Sequence, residues 1–139
     1  MINIDCKGKD GTIVTFEYES EQKDFLDGTE WVFRIYPLDK RMPDFFEFCI
    51  TRIDEKTGKV TMMHHHNQSE YRAKGIPERM IEEAHKVLKL QIISSTNSKT
   101  HKVLVNEYIT ESAKKVWERL VDRGKAFFDN QRKVYIYKP

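Results

Sequence analysis

The hydrophobic pattern of this chain changes period once, near His66, and that change is the strongest constraint on what it can fold into. Before it, residues 12–18, 31–36 and 45–53 are dense in β-branched and aromatic side chains with polar interruptions, the pattern of half-buried strands. Asp10-Gly11 separates a segment at 3–7 from the first of these, and Glu55-Lys56-Thr57-Gly58 separates the third from 59–63. In both places glycine is expected to supply the positive φ of a tight turn, which predicts a hairpin-connected antiparallel meander. The polar stretch 20–30, with Asp27-Gly28, predicts a long loop, and Pro37 with Pro43 brackets another at 38–42. Either loop could carry a lid over a substrate.

From Pro77 onward Met80, Ile81, Ala84, Val87 and Leu88 form the stripe of an amphipathic helix, with Pro77 at its first helical position, where the missing N–H is harmless. Leu90-Gln91-Ile92-Ile93-Ser94 predicts a short strand, so 59–95 reads as strand, helix, strand, a right-handed crossover between parallel neighbours. Thr110 is placed to cap a second helix with the stripe Ala113, Val116, Trp117, Leu120 and Val121; Gly124 is placed to end it, and 134–137 is a closing strand. A length of 139 residues fits one domain over 1–139, and 12% aromatic residues suffice for its core.

Composition narrows the function classes. Twenty-four basic against 22 acidic residues leave a net charge of +2, which gives no footprint for nucleic acid. No apolar run reaches the ~18 residues of a membrane helix, and the first residues lack the basic and apolar regions of an export signal, so a cytoplasmic protein is expected. Cys6 and Cys49 sit in strand-like apolar contexts and read as core thiols, the alternative being a disulfide between them.

Two motifs carry chemistry. Residues 69–78, SEYRAKGIPE, lie between a strand and a helix, where successive backbone N–H groups and the helix dipole can meet a diphosphate. Arg72 and Lys74 add charge there, and Gly75 allows close backbone approach; the alternative is an ordinary loop in which Gly75 makes a turn. His64-His65-His66 ends the preceding strand, so His64 and His66 are expected on one face and His65 on the other. An imidazole there could take a proton from an amine, against the alternative of solvated or hydrogen-bonded strand residues. No third ligand at metal spacing accompanies these histidines, so no metal site is expected.

Glu70-Tyr71-Arg72-Ala73-Lys74-Gly75-Ile76 resembles the signature loop of the GNAT superfamily of acyl-CoA-dependent N-acyltransferases, with Arg72 and Gly75 at its first two defined positions. The likeness runs from Lys59 to the C-terminus, a little over half of the chain. It implies an α+β, GNAT-like fold: a mostly antiparallel twisted sheet, splayed at a central parallel strand pair and flanked by helices. It further implies acetyl-CoA or another acyl-CoA as co-substrate, held by Arg72, Ala73, Lys74, Gly75 and Ile76 at the diphosphate and by Met62, Met63 and His64 along the pantetheine arm. The acceptor would be a small-molecule or peptide amine, with His64 or His66 as base and Tyr108 as the acid that meets the departing thiolate. Pro77 stands where the family prefers Gly or Ala, and Trp117 or Leu120 where many members carry a tyrosine. These departures motivate the alternative of a catalytically inactive CoA-binding or protein-interaction module, and exposed strand edges suggest a homodimer as one partner state.

Overall fold

Ile4 and Cys6 alternate with Asn3, Asp5 and Lys7 along β1 (Ile2–Lys7), and the same alternation organises the first half of the computed structural model, which describes residues 1–38 and 44–139. β1 pairs antiparallel with β2 (Ile13–Phe25), β2 with β3 (Gly28–Pro37), β3 with β4 (Phe46–Asp54) and β4 with β5 (Thr57–His64). The register sets Ile4 opposite Phe16, Tyr18 opposite Ile35 and Phe33 opposite Phe48, so one face of the meander is apolar throughout. A 3-10 turn at Ser69–Tyr71 then leads into α1 (Ile76–Leu88) and β6 (Gln91–Ile93), and α2 (Glu111–Asp122), β7 (Ala126–Asp129) and β8 (Val134–Tyr137) follow. The result is an α+β fold with two helices and one mixed eight-stranded sheet in the order β1-β2-β3-β4-β5-β6-β8-β7.

The expected crossover is present: β5 and β6 are parallel, through Thr57 to Gln91, Gly58 to Ile92 and Lys59 to Ile93. Met80, Ile81 and Ala84 of α1 and Val116, Trp117 and Leu120 of α2 pack in one cluster with the apolar face of the sheet. Ile93, Val134 and Ile136 form a smaller cluster with Ile53. Both expected caps hold, since Thr110 Oγ1 accepts from the Ala113 N–H at 3.0 Å and Gly124 follows α2 at φ 72°. Cys6 and Cys49 are buried free thiols, and burial pushes each up to about 12. No helix among the described residues is long and apolar enough to cross a membrane.

Four local expectations fail for physical reasons. Residues 20–30 are not a long loop: β2 and β3 continue to a two-residue connection, Leu26-Asp27, with Phe25 paired to Gly28. The polar side chains that suggested a loop pair across this arm instead, Thr29 Oγ1 to Asp24 at 3.0 Å, Trp31 Nε1 to Gln22 at 3.3 Å and Arg34 to Glu21 at 2.8 Å. Gly58 is not a turn residue; it lies in β5, where an added Cβ would stand 2.8 Å from Ile50 Cγ2 and 3.3 Å from Leu90 Cδ1. The strand entering the signature loop ends at His64, because His66 and Asn67 take left-handed φ values of 52° and 59°. β7 adds an edge strand whose four residues are too few to show a period. The loop expected at 38–42 lies outside the described residues apart from Leu38.

Candidate functional site

The parallel pairing of β5 and β6 lasts only through Lys59 and Ile93, and beyond it the two strands part. Two features of β5 suit it to an opening. Val60 pairs with Ile50 and Met62 with Cys49, so Thr61 is a bulge; bulges bend a strand and redirect its side chains. On the side away from β4, Ser95 Oγ donates to the Val60 carbonyl at 2.7 Å, after which residues 61–64 have no strand neighbour among the described residues. The opening is a slot of about 280 Å³ lined by Val60, Thr61, Met62, Met63 and His64 on one side and Asn106, Tyr108, Ala113 and Trp117 on the other.

A second cavity of about 270 Å³ continues from it, sharing Met63 and Ala113. It is bounded by the signature loop and the N-terminus of α1. Gly75 takes φ 76° as the residue before that helix and supplies no side-chain cap. Arg79 donates to the Gly75 carbonyl, yet among the described residues no acceptor is found for the N–H groups of Ala73, Lys74, Gly75, Ile76 or Glu78. A helix start left open in this way presents partial positive charge to the cavity. Among the described residues Lys7, Lys9, Arg72, Lys74, Lys115, Arg119 and Arg123 surround it, against the single carboxylate of Glu78. That carboxylate is already matched, accepting from Arg119 Nη2 at 2.7 Å and Nε at 3.1 Å.

The loop is fixed from behind. Lys9 N–H donates to the Ala73 carbonyl at 3.2 Å, and a Cβ on Gly75 would collide with the Lys7 carbonyl. Gly75 therefore serves the packing of the loop on β1 and also lines the basic cavity. Tyr71 O–H donates to the Asp44 carbonyl at 2.9 Å, and burial first, with Glu70 second, pushes that phenol up to about 12.

The three histidines separate. His64 ends β5, is exposed and lines the slot. His65 lines the basic cavity; its Nδ1 accepts from the Asn67 N–H at 2.9 Å, and burial and then the Arg72 charge lower its pKa, so it stays neutral with Nε2–H as donor. His66 lies past the strand end, and its Nδ1 stands 2.7 Å from the Phe45 carbonyl, a contact only an N–H can make. His66 therefore shares no strand face with His64, although the turn returns its ring to within 4.4 Å of the His64 ring. Among the described residues no three His, Cys, Asp or Glu side chains converge as they would on a metal ion.

No family model, curated protein or solved structure matches this chain. The site stands on its own geometry. Of the residues singled out from sequence, Arg72, Ala73, Lys74 and Gly75 meet at the basic cavity, and Met62, His64 and Tyr108 at the slot, with Met63 reaching both. Neither Ile76, whose side chain is fully buried in the core, nor His66 lines either space. The sequence alone did not bring Lys7, Lys9, Lys115, Arg119 and Arg123 to the loop; the fold does. The spacing of four among Lys115, Arg119 and Arg123 was the available signal, since it makes a basic stripe along α2.

Glu107 was also missed. It is buried beside Tyr108 and holds the connection between β6 and α2: Oε2 accepts from Lys59 Nζ at 2.6 Å and from Thr96 N–H at 2.8 Å, and Oε1 from the amides of Val103 and Leu104. Burial alone would raise this carboxyl; the Lys59 ammonium and the amides outweigh it and hold it below its ordinary value. Lys59 is the last residue of the parallel pairing, so the ion pair ties the rim of the slot to the loop that carries Tyr108.

Proposed function

We propose that the chain is an acyl-CoA-dependent N-acyltransferase of GNAT-like architecture, moving an acetyl or other acyl group to a primary amine. One observation carries the reading: the parallel strands part at a slot that continues into a cavity rimmed by unpaired amides and cations. A ligand with a polyanionic head and a narrow uncharged arm suits that pair of spaces, and acyl-CoA has this form. The strand order, with a single parallel pair beside a strand–helix crossover, agrees with the resemblance of the signature loop.

The donor set fits the group. The amides of residues 73–76 and Glu78, with Arg72, Lys74, Lys115 and Arg123, would hold the diphosphate and an added phosphate. Pro77 contributes no N–H, and the neutral His65 adds an Nε2–H donor to the same cavity. Backbone groups of residues 61–64 on the open side of β5 would pair with the amides of the arm, as β6 does with residues 57–59. When bound, acyl-CoA supplies an activated thioester. The chain supplies position, a strand N–H to polarise the carbonyl oxygen, and groups at the slot to move protons. His64 is placed to take the acceptor's proton, and Tyr108 O–H, exposed at the same slot, is the available acid.

Calorimetric titration with acetyl-CoA and CoA tests the reading, with binding in the micromolar range expected. No heat at about 1 mM ligand would overturn it. Release of free thiol that depends on added amine then tests turnover. A second reading, a module that binds CoA without chemistry, is favoured by Trp117, which is fully buried where a tyrosine would donate. Binding of CoA with no amine-dependent thiol release selects that reading.

A further inference from the structure

Glu47 of β4 and His64 of β5 are register partners, so their side chains leave the same face of the sheet, and Cys49 and Met62 are the next pair on that face. Past the strand end, the left-handed residues His66 and Asn67 fold the chain back. That turn brings the His66 ring to 4.4 Å from His64 and its Nε2 to 3.9 Å from Glu47 Oε1. Donation from Nδ1–H to the Phe45 carbonyl, with Phe45 edge-on to the ring at 5.5 Å, fixes the orientation of the ring and turns its Nε2 side toward Glu47 and His64.

The Glu47 side chain is 25% exposed, and among the described residues no lysine or arginine reaches it. Arg34 is its register partner on β3, but that guanidinium donates to Glu21 at 2.8 Å and lies over the Phe45 ring at 5.6 Å. The Cys49 thiol, 3.9 Å from the carboxylate, is uncharged, and Arg72 faces His65 and the basic cavity. Tyr108 faces His64 across the slot. A half-buried carboxylate that no lysine or arginine of the described residues reaches, next to two imidazoles at the end of a slot, suits a ligand that brings a positive charge and can lose a proton.

We propose that Glu47, His64 and His66 form a subsite for a primary ammonium group, in which Glu47 binds the cation, His64 accepts its proton and His66 is a positioning residue. The inference deepens the N-acyltransferase reading, on which its use in catalysis rests. In the proton step one N–H bond of the ammonium breaks, the proton bonds to the free imidazole nitrogen of His64, and the electron pair stays on nitrogen as the lone pair of a neutral amine. His64 then returns the proton to water at the exposed end of the slot.

The test uses isotope-labelled full-length protein, with 1,4-diaminobutane as probe and 1,4-butanediol as neutral control, each titrated with and without saturating CoA while the histidine C2–H signals are followed. The diamine should shift the His64 signal saturably and the diol should not. Glu47→Gln should weaken the diamine at least about tenfold, the scale of one charge-assisted contact, and Glu47→Asp by less. His66→Phe should weaken it as well, and His66→Asn, whose amide can still donate to the Phe45 carbonyl, should restore part of the loss. Equal responses to diamine and diol, or wild-type affinity in a folded Glu47→Gln protein, would overturn the subsite. Failure of CoA to bind would instead overturn the acyltransferase reading and leave the ammonium response measurable.

Discussion

Gly75 and Gly124 have nearly the same backbone, φ 76° and 72°, yet an added Cβ meets the Lys7 carbonyl at the first and open space at the second. Gly124→Ala should therefore cost about 1 kcal/mol, the left-handed penalty alone. Gly75→Ala should cost at least about 2–3 kcal/mol, because overpacking against backbone is added to it. Urea denaturation of both variants checks the pair, and equal losses would show that the loop does not rest on β1. Glu107 permits a second comparison. Glu107→Gln leaves Lys59 as an uncompensated buried charge and should cost about 3–5 kcal/mol, whereas replacing both partners by apolar residues should cost much less. The sign with pH follows from a folded carboxyl held below its unfolded value of about 4.3. Its stabilisation is complete above that value and is lost as pH falls through the folded one. Wild-type stability should drop on acidification below about pH 5, and the Gln variant should show a smaller drop over the same range.

The helices show which local signals survive packing. Thr110 caps α2 through a single hydrogen bond at an exposed site, so Thr110→Ala should lower stability by about 1 kcal/mol and leave the signature loop unchanged, as thermal melts and loop amide signals would report. α1 begins with no side-chain cap, and Glu78 in its first turn is spent on Arg119 of α2. The open end is tied to the neighbouring helix and remains available to an anion. At β5 the determining residue is Gly58, whose missing side chain lets Ile50 and Leu90 close over the parallel pair. Gly58→Ala should cost about 1–3 kcal/mol, since the added Cβ would press on the buried Ile50 and Leu90 side chains.

Across the whole molecule, charge is segregated although the net charge is only +2. Cations from β1, the signature loop and α2 converge at one cavity, while Glu17, Glu19, Glu21, Glu30 and Glu47 lie on the sheet face turned away from the helices, as the register of β2, β3 and β4 requires. A polyanion on one side of the slot and a cation on the other is the distribution that an acyl-CoA and an amine would need. CoA affinity should accordingly fall several fold between roughly 0.05 and 0.5 M salt, as screening shortens to a few ångströms. Lys115→Glu should weaken CoA with little effect on stability, because Lys115 is an exposed residue of α2. Calorimetry at two ionic strengths measures both, and a salt-independent affinity would argue against the cavity as a phosphate site.

Features that rest on local spacing and backbone preference were legible without the fold. The period switch, the helix and strand segments from β5 through α1 to β6, the cap at Thr110 and the stop at Gly124 are of this kind. What escaped depends on partners distant in sequence. The charges of 20–30 mimic a loop until the opposite strand pairs them, and Gly58 mimics a turn glycine until Ile50 and Leu90 crowd it. The basic stripe Lys115, Arg119 and Arg123 has no direction until α2 settles against α1, and Lys59 and Glu107, 48 residues apart, carry no mark of pairing in the chain. The site follows the same division: backbone preference marks the loop at 72–76, whereas the cations around it and the Glu47–His64–His66 cluster arise from register and packing, which no local window contains.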